Sequence, residues 1–335
     1  MNPPFPPLTL GDIFEKTFSL IGKTFFRNLC IAVLILLFPI ILMAIATDDF
    51  YSTLADMKDT IHQVQSEPSL DMILPILSTL SFFLLATFVF ALGVLFAEIA
   101  ISIVVSREIL SHPITFSDAL SEMFNLKWLY GIGQAVLKYS IFIGGIIIIG
   151  IILAIFAALS KMLMGLMVVL CLLALIPVIV YIGLKWYFSL IAIAVDDLTV
   201  IESLRASWYL VEGYWWRTFG ILLLLSILTQ FAISIVSLPI TFGSMWDVYK
   251  EYFTMLGKTG GNINPEMLKN LEKSFGPGIA IGSGISALLS LLVTPVYTVV
   301  LYYDLRARGN TGTTIQQNPA VVQDGSQEPI DLGQF

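Results

Sequence analysis

Residues 141–184 decide the fold: IFIGGIIIIGIILAIFAAL, then Ser160 and Lys161, then MLMGLMVVLCLLALIPVIVYIGL. Neither apolar run carries a charge, and neither shows the 3.6- or 2-residue period of a half-buried helix or strand. At 1.5 Å per helical residue, each is long enough to cross a hydrocarbon core of about 30 Å. The small residues of the first run, including Gly144-Gly145, would let another helix approach closely.

Similar blocks recur outward from this pair. Of 335 residues, 57% are hydrophobic and 12% charged, against roughly 45–50% and 25% in soluble domains. The expected fold is an all-α integral membrane protein with six transmembrane helices, at about 29–46, 74–105, 129–159, 162–195, 219–240 and 279–303. Gly144-Gly145, Pro177 and Pro295 are candidate kinks. Residues 1–308 read as a single membrane domain, and 309–335, rich in Gln, Gly, Pro and Thr, as a disordered tail. Residues 1–7 lack the basic-then-apolar layout of a cleaved signal peptide.

Lys and Arg divide unevenly between alternate sides. Lys16, Lys23, Arg27, Arg107, Lys127, Arg205, Arg217, Arg306 and Arg308 share one side, mostly near span ends. Lys58, Lys161, Lys250, Lys258, Lys269 and Lys273 lie on the other. The positive-inside rule puts the first side, with both termini, in the cytoplasm. Two loops, 47–71 and 241–278, then face outward. The second is expected to hold short surface helices at 245–256 and from Pro265, which follows the N-cap Asn264.

A threonine followed three residues later by an acid occurs three times on the inner side: Thr9 and Asp12, Thr115 and Asp118, Thr199 and Glu202. Each is a capping box, in which hydroxyl and carboxylate satisfy free N–H groups at a helix start. Leu8, Ile114 and Leu198 precede the threonines as candidate hydrophobic staples. Apolar residues follow at +5 (Phe14, Leu120, Leu204), +9 (Phe18, Phe124, Trp208) and +11 (Leu20, Leu126, Leu210). The spacing predicts amphipathic interfacial helices at about 9–25, 115–126 and 199–213. Each leads into a span, so the chain parses as three repeats of interfacial helix plus transmembrane hairpin.

Counting helical rise from the inner boundary puts Glu98 about 13 Å deep, and Lys138 and Lys185 about 16 Å. Such charges are costly unless paired, so the three are expected to form one cluster, with Gln134 one turn before Lys138. The cluster has two readings. Glu98 can neutralise a lysine as structural glue, or the extra positive charge can meet an anionic lipid headgroup or solute entering from the cytoplasm. Gln230 is a candidate for an interhelical hydrogen bond. The aromatic groups at Trp128, Trp186 and Trp215 read as interfacial anchors.

Several classes are excluded. A net charge of −7 without a basic patch speaks against nucleic acid. Cys30 and Cys171 fall inside apolar runs as small buried hydrophobes, and His62 and His112 lie in separate loops, so no metal or cofactor is expected. No Walker loop, dinucleotide fingerprint, HExxH or nucleophile elbow occurs, so no catalytic residue is assigned. The expectation is a non-enzymatic protein that organises membrane lipids or partner proteins, a second copy of itself included. The alternative is a transporter or lipid-handling protein with an inner cavity around Glu98, Lys138 and Lys185.

The segments 9–27, 205–210 (RASWYL) and 301–306 (LYYDLR) resemble the membrane-domain family attached to some glycerophosphoryl diester phosphodiesterases and its stand-alone prokaryotic allies. The likeness covers about residues 8–308. It implies six spans in a prokaryotic plasma membrane; the catalytic phosphodiesterase domain itself is not encoded. In that family an arginine follows a proline–aromatic stretch in the fourth span. Here Pro177 and Tyr181 lead instead to Lys185, which cannot bind phosphate as a planar fork.

Overall fold

The computed structural model describes residues 4–63, 70–159, 161–246, 249–250, 253–254, 257 and 265–311. Those residues are mostly helical and contain no strand. Leu10–Gln63 forms α1, Leu70–Ile109 α2 and Phe116–Glu122 α3, which continues through a π-helical turn at Met123–Lys127. Then follow α4 (Trp128–Leu159), α5 (Lys161–Lys185), α6 (Ser189–Asp196), α7 (Val200–Val211), α8 (Trp215–Ser244) and α9 (Pro265–Thr311). Six of these helical stretches are long and apolar enough to cross a membrane.

Packing is unequal along the bundle. α1 lies along both α2 and α9, α8 packs on α9, and α4 pairs with α5. The core gathers at one end, where Ala97, Ile99–Ile101 and Ile103–Val105 of α2, Ile191–Ala194 of α6, and Val296 and Val299–Leu301 of α9 are buried. Away from that end α4 exposes Ile146, Ile147, Ile151 and Ile155. Gly131 lets α4 approach α2: a Cβ there would sit 2.7 Å from Ile99 Cδ1.

Several expected boundaries need correction. The helix expected at 9–25 is no separate element: α1 runs from Leu10 through its apolar stretch to Gln63, about 80 Å at helical rise. No helix-breaking residue separates the two parts, and backbone hydrogen bonding propagates once nucleated. The second capped segment bends into α4 instead, at Asn125 (ψ 71°) and Leu126 (φ 68°). The third is separated from α8 by a turn at Gly213, whose φ of 80° suits a residue without Cβ.

The span expected at 162–195 breaks at Trp186–Phe188, between α5 and α6, whereas α5 runs straight through Pro177. Neighbouring side chains hold the break, as described below. α4 and α9 likewise continue through Gly144-Gly145 and Pro295. The loop at 47–71 is largely helix, as α1 extends to Gln63 and α2 starts at Leu70. Pro265 does begin a helix, but α9 continues from it to Thr311 rather than stopping at a surface. The start of the expected tail, 309–311, is the last turn of α9, and 312–335 lies outside the described residues. The helix expected at 245–256 also lies partly outside them. Cys30 is exposed rather than buried.

Candidate functional site

Three exposed Thr–acid pairs start helices at the buried end of the bundle. Thr9 donates its backbone N–H to Asp12 Oδ2 at 2.8 Å and its hydroxyl to the same oxygen at 2.7 Å. Thr115 does so to Asp118 Oδ2 at 3.2 and 2.7 Å, and Thr199 to Glu202 Oε2 at 3.0 and 2.7 Å. These bonds favour the charged carboxylate, and they hold Glu202 below the usual carboxylate range.

The apolar positions that follow divide between two faces. Phe14 and Leu120 pack on the core and Leu204 is buried, while Phe18 and Phe124 point outward with 67% and 61% of their surface exposed. Leu126 is exposed too, whereas Leu20 is buried. The bend at Asn125 and Leu126 rotates the end of the second segment away from the helical register, so the residues do not form one common face.

Ion pairs join helix starts to helix ends. Arg27 meets Glu108 at 2.5 Å and donates to the Ile114 carbonyl at 3.0 Å. Lys127, only 4% exposed, meets Glu122 at 2.8 Å, Asp197 at 2.9 Å and the Ala194 carbonyl at 2.7 Å. Arg217 meets Asp304 at 2.6 Å and the Leu8 carbonyl at 3.1 Å. Asp304, fully buried, also accepts from the Leu8 N–H at 2.7 Å and from Arg308 at 3.2 Å. Arg107–Glu122 at 3.0 Å and Arg306–Asp196 at 2.7 Å complete the set, with Tyr302 donating its hydroxyl to Asp196. Leu8 is thus tied to α8 and α9, which closes the set of contacts into a ring of side chains.

The helix break lies beside this ring. Its freed backbone groups find side-chain partners, as buried polar groups must. Ser207 donates to the Lys185 carbonyl at 2.7 Å and accepts from the Phe188 N–H at 3.1 Å. Lys138 Nζ donates to the Trp186 carbonyl at 2.9 Å. The surrounding donors orient Gln134 so that its amide oxygen accepts from Lys138 Nζ at 2.9 Å and from the Leu190 N–H at 3.2 Å, with the Ser189 hydroxyl against it. Lys138 is therefore held by two oxygens at the break.

The expected cluster of Glu98, Lys138 and Lys185 does not form as one group. Half-buried Glu98 lies within electrostatic reach of Lys138, but among the described residues no ion pair of 4 Å or less joins it to either lysine. Lys185 turns away toward α7: its ammonium donates to the Trp208 carbonyl at 3.3 Å and lies 5.0 Å from the Trp208 ring and 6.0 Å from the Tyr181 ring. The break at Trp186 separates Lys185 from the register of α6, so equal depth does not become proximity. Gln230 is exposed on α8 and makes no interhelical hydrogen bond among the described residues.

Among the described residues no three His, Cys, Asp or Glu side chains converge as metal ligands would. An open depression of about 750 Å³ lies beside α3, lined by Asp118, Ser121, Glu122, Phe124 and Asn125. It does not include Glu98, Lys138 or Lys185. Ser207 and Ser189 carry no sequence signal for this role, because serine is unremarkable beside apolar residues. Asp304 was visible there only as an acid at a span end.

An all-helical chain with six membrane-length apolar helices is of the multi-pass type. The family model described as a domain of unknown function, DUF7847, matches residues 21–305, and the chain belongs to that family. No curated protein and no solved structure matches it.

Proposed function

We propose that this is a non-enzymatic, six-span protein of a prokaryotic plasma membrane that organises membrane lipids or partner proteins from its inner face. Both termini lie in the cytoplasm in this reading, and the ring of ion pairs is the inner surface. The observation that carries it is a set of contacts shared by three successive units. In each, a cation at the start of one span (Arg27, Lys127, Arg217) grips an acid at the end of the returning span (Glu108, Asp197, Asp304). Arg27 and Arg217 also hold the carbonyl just before a Thr–acid cap, at Ile114 and Leu8. Three repeated hairpins closed head to tail account for this pattern, and the closed ring makes a rigid inner platform.

Outward-facing Phe18, Phe116, Phe124, Ile201 and Tyr209 support contact of that platform with lipid at its rim. The transporter reading has less support, since Lys138 is spent on the helix break and Lys185 turns to Trp208 and Tyr181.

Topology and role are tested together. In a background lacking Cys30 and Cys171, Ser66→Cys should label only from outside intact cells and Ser326→Cys only after permeabilisation. Labelling of both from one side sinks the six-span arrangement. A deletion strain should show altered lipid composition or loss of a co-purifying membrane protein. An unchanged lipidome and interactome would remove the organising role.

A further inference from the structure

Lys185 is 4% exposed, yet its ammonium makes one long hydrogen bond, to the Trp208 carbonyl at 3.3 Å. An ammonium carries three N–H donors, and a buried charge is ordinarily paired with an opposite one. Among the described residues Lys185 has no acid within 4 Å. The contrast with the other lysines of this region is direct. Lys127 holds two carboxylates and a carbonyl, and Lys138 holds two oxygens with Glu98 in reach. At Lys185 two ring faces stand where an anion would be expected.

A second donor beside it is also unsatisfied. Trp215 Nε1 is buried without a hydrogen-bond partner. Trp215 lies 5.9 Å from Tyr181, and Tyr181 lies 6.1 Å from Trp208. A cation lacking an anion and an N–H lacking an acceptor therefore neighbour the same tyrosine ring. Both belong to groups that a phosphate oxygen satisfies. Trp215 also opens α8, and Tyr214 before it supplies no side-chain cap, so the positive end of the helix dipole adds to the same field.

We propose that Lys185 and the Trp215 Nε1–H bind the phosphate of an anionic diacyl phospholipid, between α5, α7 and α8. The site has an outlet suited to a lipid rather than to a free ion. Tyr181 is 44% exposed, and Trp216, beside Trp215 at 4.6 Å, is 78% exposed. Beyond them α5 exposes Ile176 and Val180, and α8 exposes Leu223 and Leu224, apolar surface along which two acyl chains can lie. A point charge in an aromatic box needs no planar fork to meet a phosphate oxygen. The proposal rests on the chain being membrane-embedded as read above.

The test uses the full-length chain in neutral detergent, titrated with dioleoylphosphatidylglycerol, dioleoylglycerol or inorganic phosphate and read by native mass spectrometry. Phosphatidylglycerol adducts should persist where dioleoylglycerol, which lacks the phosphate, gives none. Lys185→Met should weaken phosphatidylglycerol binding about tenfold or more, Lys185→Arg should retain most of it, and Trp215→Phe should cost about threefold. Phosphatidylglycerol binding unchanged in a Lys185→Met protein that melts like the wild type overturns the site. If that variant does not fold, unchanged binding in Trp215→Phe overturns it instead. Displacement of phosphatidylglycerol by millimolar inorganic phosphate would make it a free-anion site and overturn the lipid assignment. Embedding is scored separately by flotation with vesicles after alkaline washing. A chain that washes off removes the membrane reading, whereas one that stays without preferring phosphatidylglycerol removes only this site.

Discussion

Arg217 places Nη1 2.6 Å from Oδ2 of Asp304, which has no solvent exposure at all. The same carboxylate takes the Leu8 N–H, and the same guanidinium takes the Leu8 carbonyl. One pair of side chains thus clamps both backbone groups of a residue near the chain start onto a helix near its end. Phe5 extends the contact by packing edge-on to Tyr303 at 6.2 Å.

Removing one member of such a pair leaves a buried charge uncompensated, at a cost of about 3–5 kcal/mol. Asp304→Ala should therefore lower the unfolding temperature of the detergent-solubilised protein sharply and make the first residues protease-sensitive. The double variant Arg217→Met with Asp304→Leu should lose less than the sum of the singles. Additive losses would mean that the two residues act independently.

Ser207 serves both sides of the break between α5 and α6 through a single hydroxyl. Ser207→Ala strands the Phe188 N–H and the Lys185 carbonyl, each a loss of about 1–3 kcal/mol when no water replaces the bond. Hydrogen exchange at the Phe188 amide should speed up markedly while amides in the middle of α2 stay protected. Equal protection in the variant would show that the break is held without Ser207.

How much of this was legible beforehand follows from the range of each interaction. The caps at Thr9, Thr115 and Thr199 are contacts across three residues, so spacing alone located them. The apolar helices were equally plain, because length and absence of charge are local properties. The break at Trp186–Phe188 was not, since it depends on Ser207 and Lys138, which lie distant in sequence and are invisible to any window. Pro177, the conspicuous local signal in that span, left α5 unbroken. Depth counting placed Lys138 and Lys185 at one height but said nothing of azimuth, and it is azimuth that separates them. The ring ties were hidden for the same reason: Arg27 and Arg217 stood out as span starts, while their carbonyl partners have no sequence signature.

The cap at Thr199 makes α7 pH-sensitive in a defined direction. Two hydrogen bonds from Thr199 hold the Glu202 carboxyl below its usual value, so the folded form favours the charged group. The cap's contribution is complete above the free carboxyl range, about pH 4.3, and is lost as pH falls through the lower value in the folded chain. A carbon-13 NMR titration of Glu202 should show that depressed midpoint, and Thr199→Val should move it up toward the free value. A midpoint indifferent to Thr199→Val would show that another group sets it.

Lys138 and Lys185 should respond oppositely to the same substitution, because one is consumed by the fold and the other is not. Lys138→Met removes one donor each from the Trp186 carbonyl and the Gln134 amide oxygen, which keep Ser189 and Leu190, and leaves Glu98 without its nearby cation. The main loss is the Glu98 carboxylate left without a cation in an apolar setting, so thermal stability should fall by several degrees or more. Adding Glu98→Gln should restore part of the loss, since the isolated charge disappears with its partner. Lys185→Met removes only a 3.3 Å hydrogen bond and two ring contacts while taking a cation out of an apolar setting. Its melting temperature in lipid-free detergent should stay near the wild-type value or rise. Added phosphatidylglycerol should then raise the wild-type melting temperature and leave that of Lys185→Met unmoved, a difference that a purely structural lysine would not produce. Equal destabilisation by the two substitutions would place both lysines in the framework and leave none for a ligand.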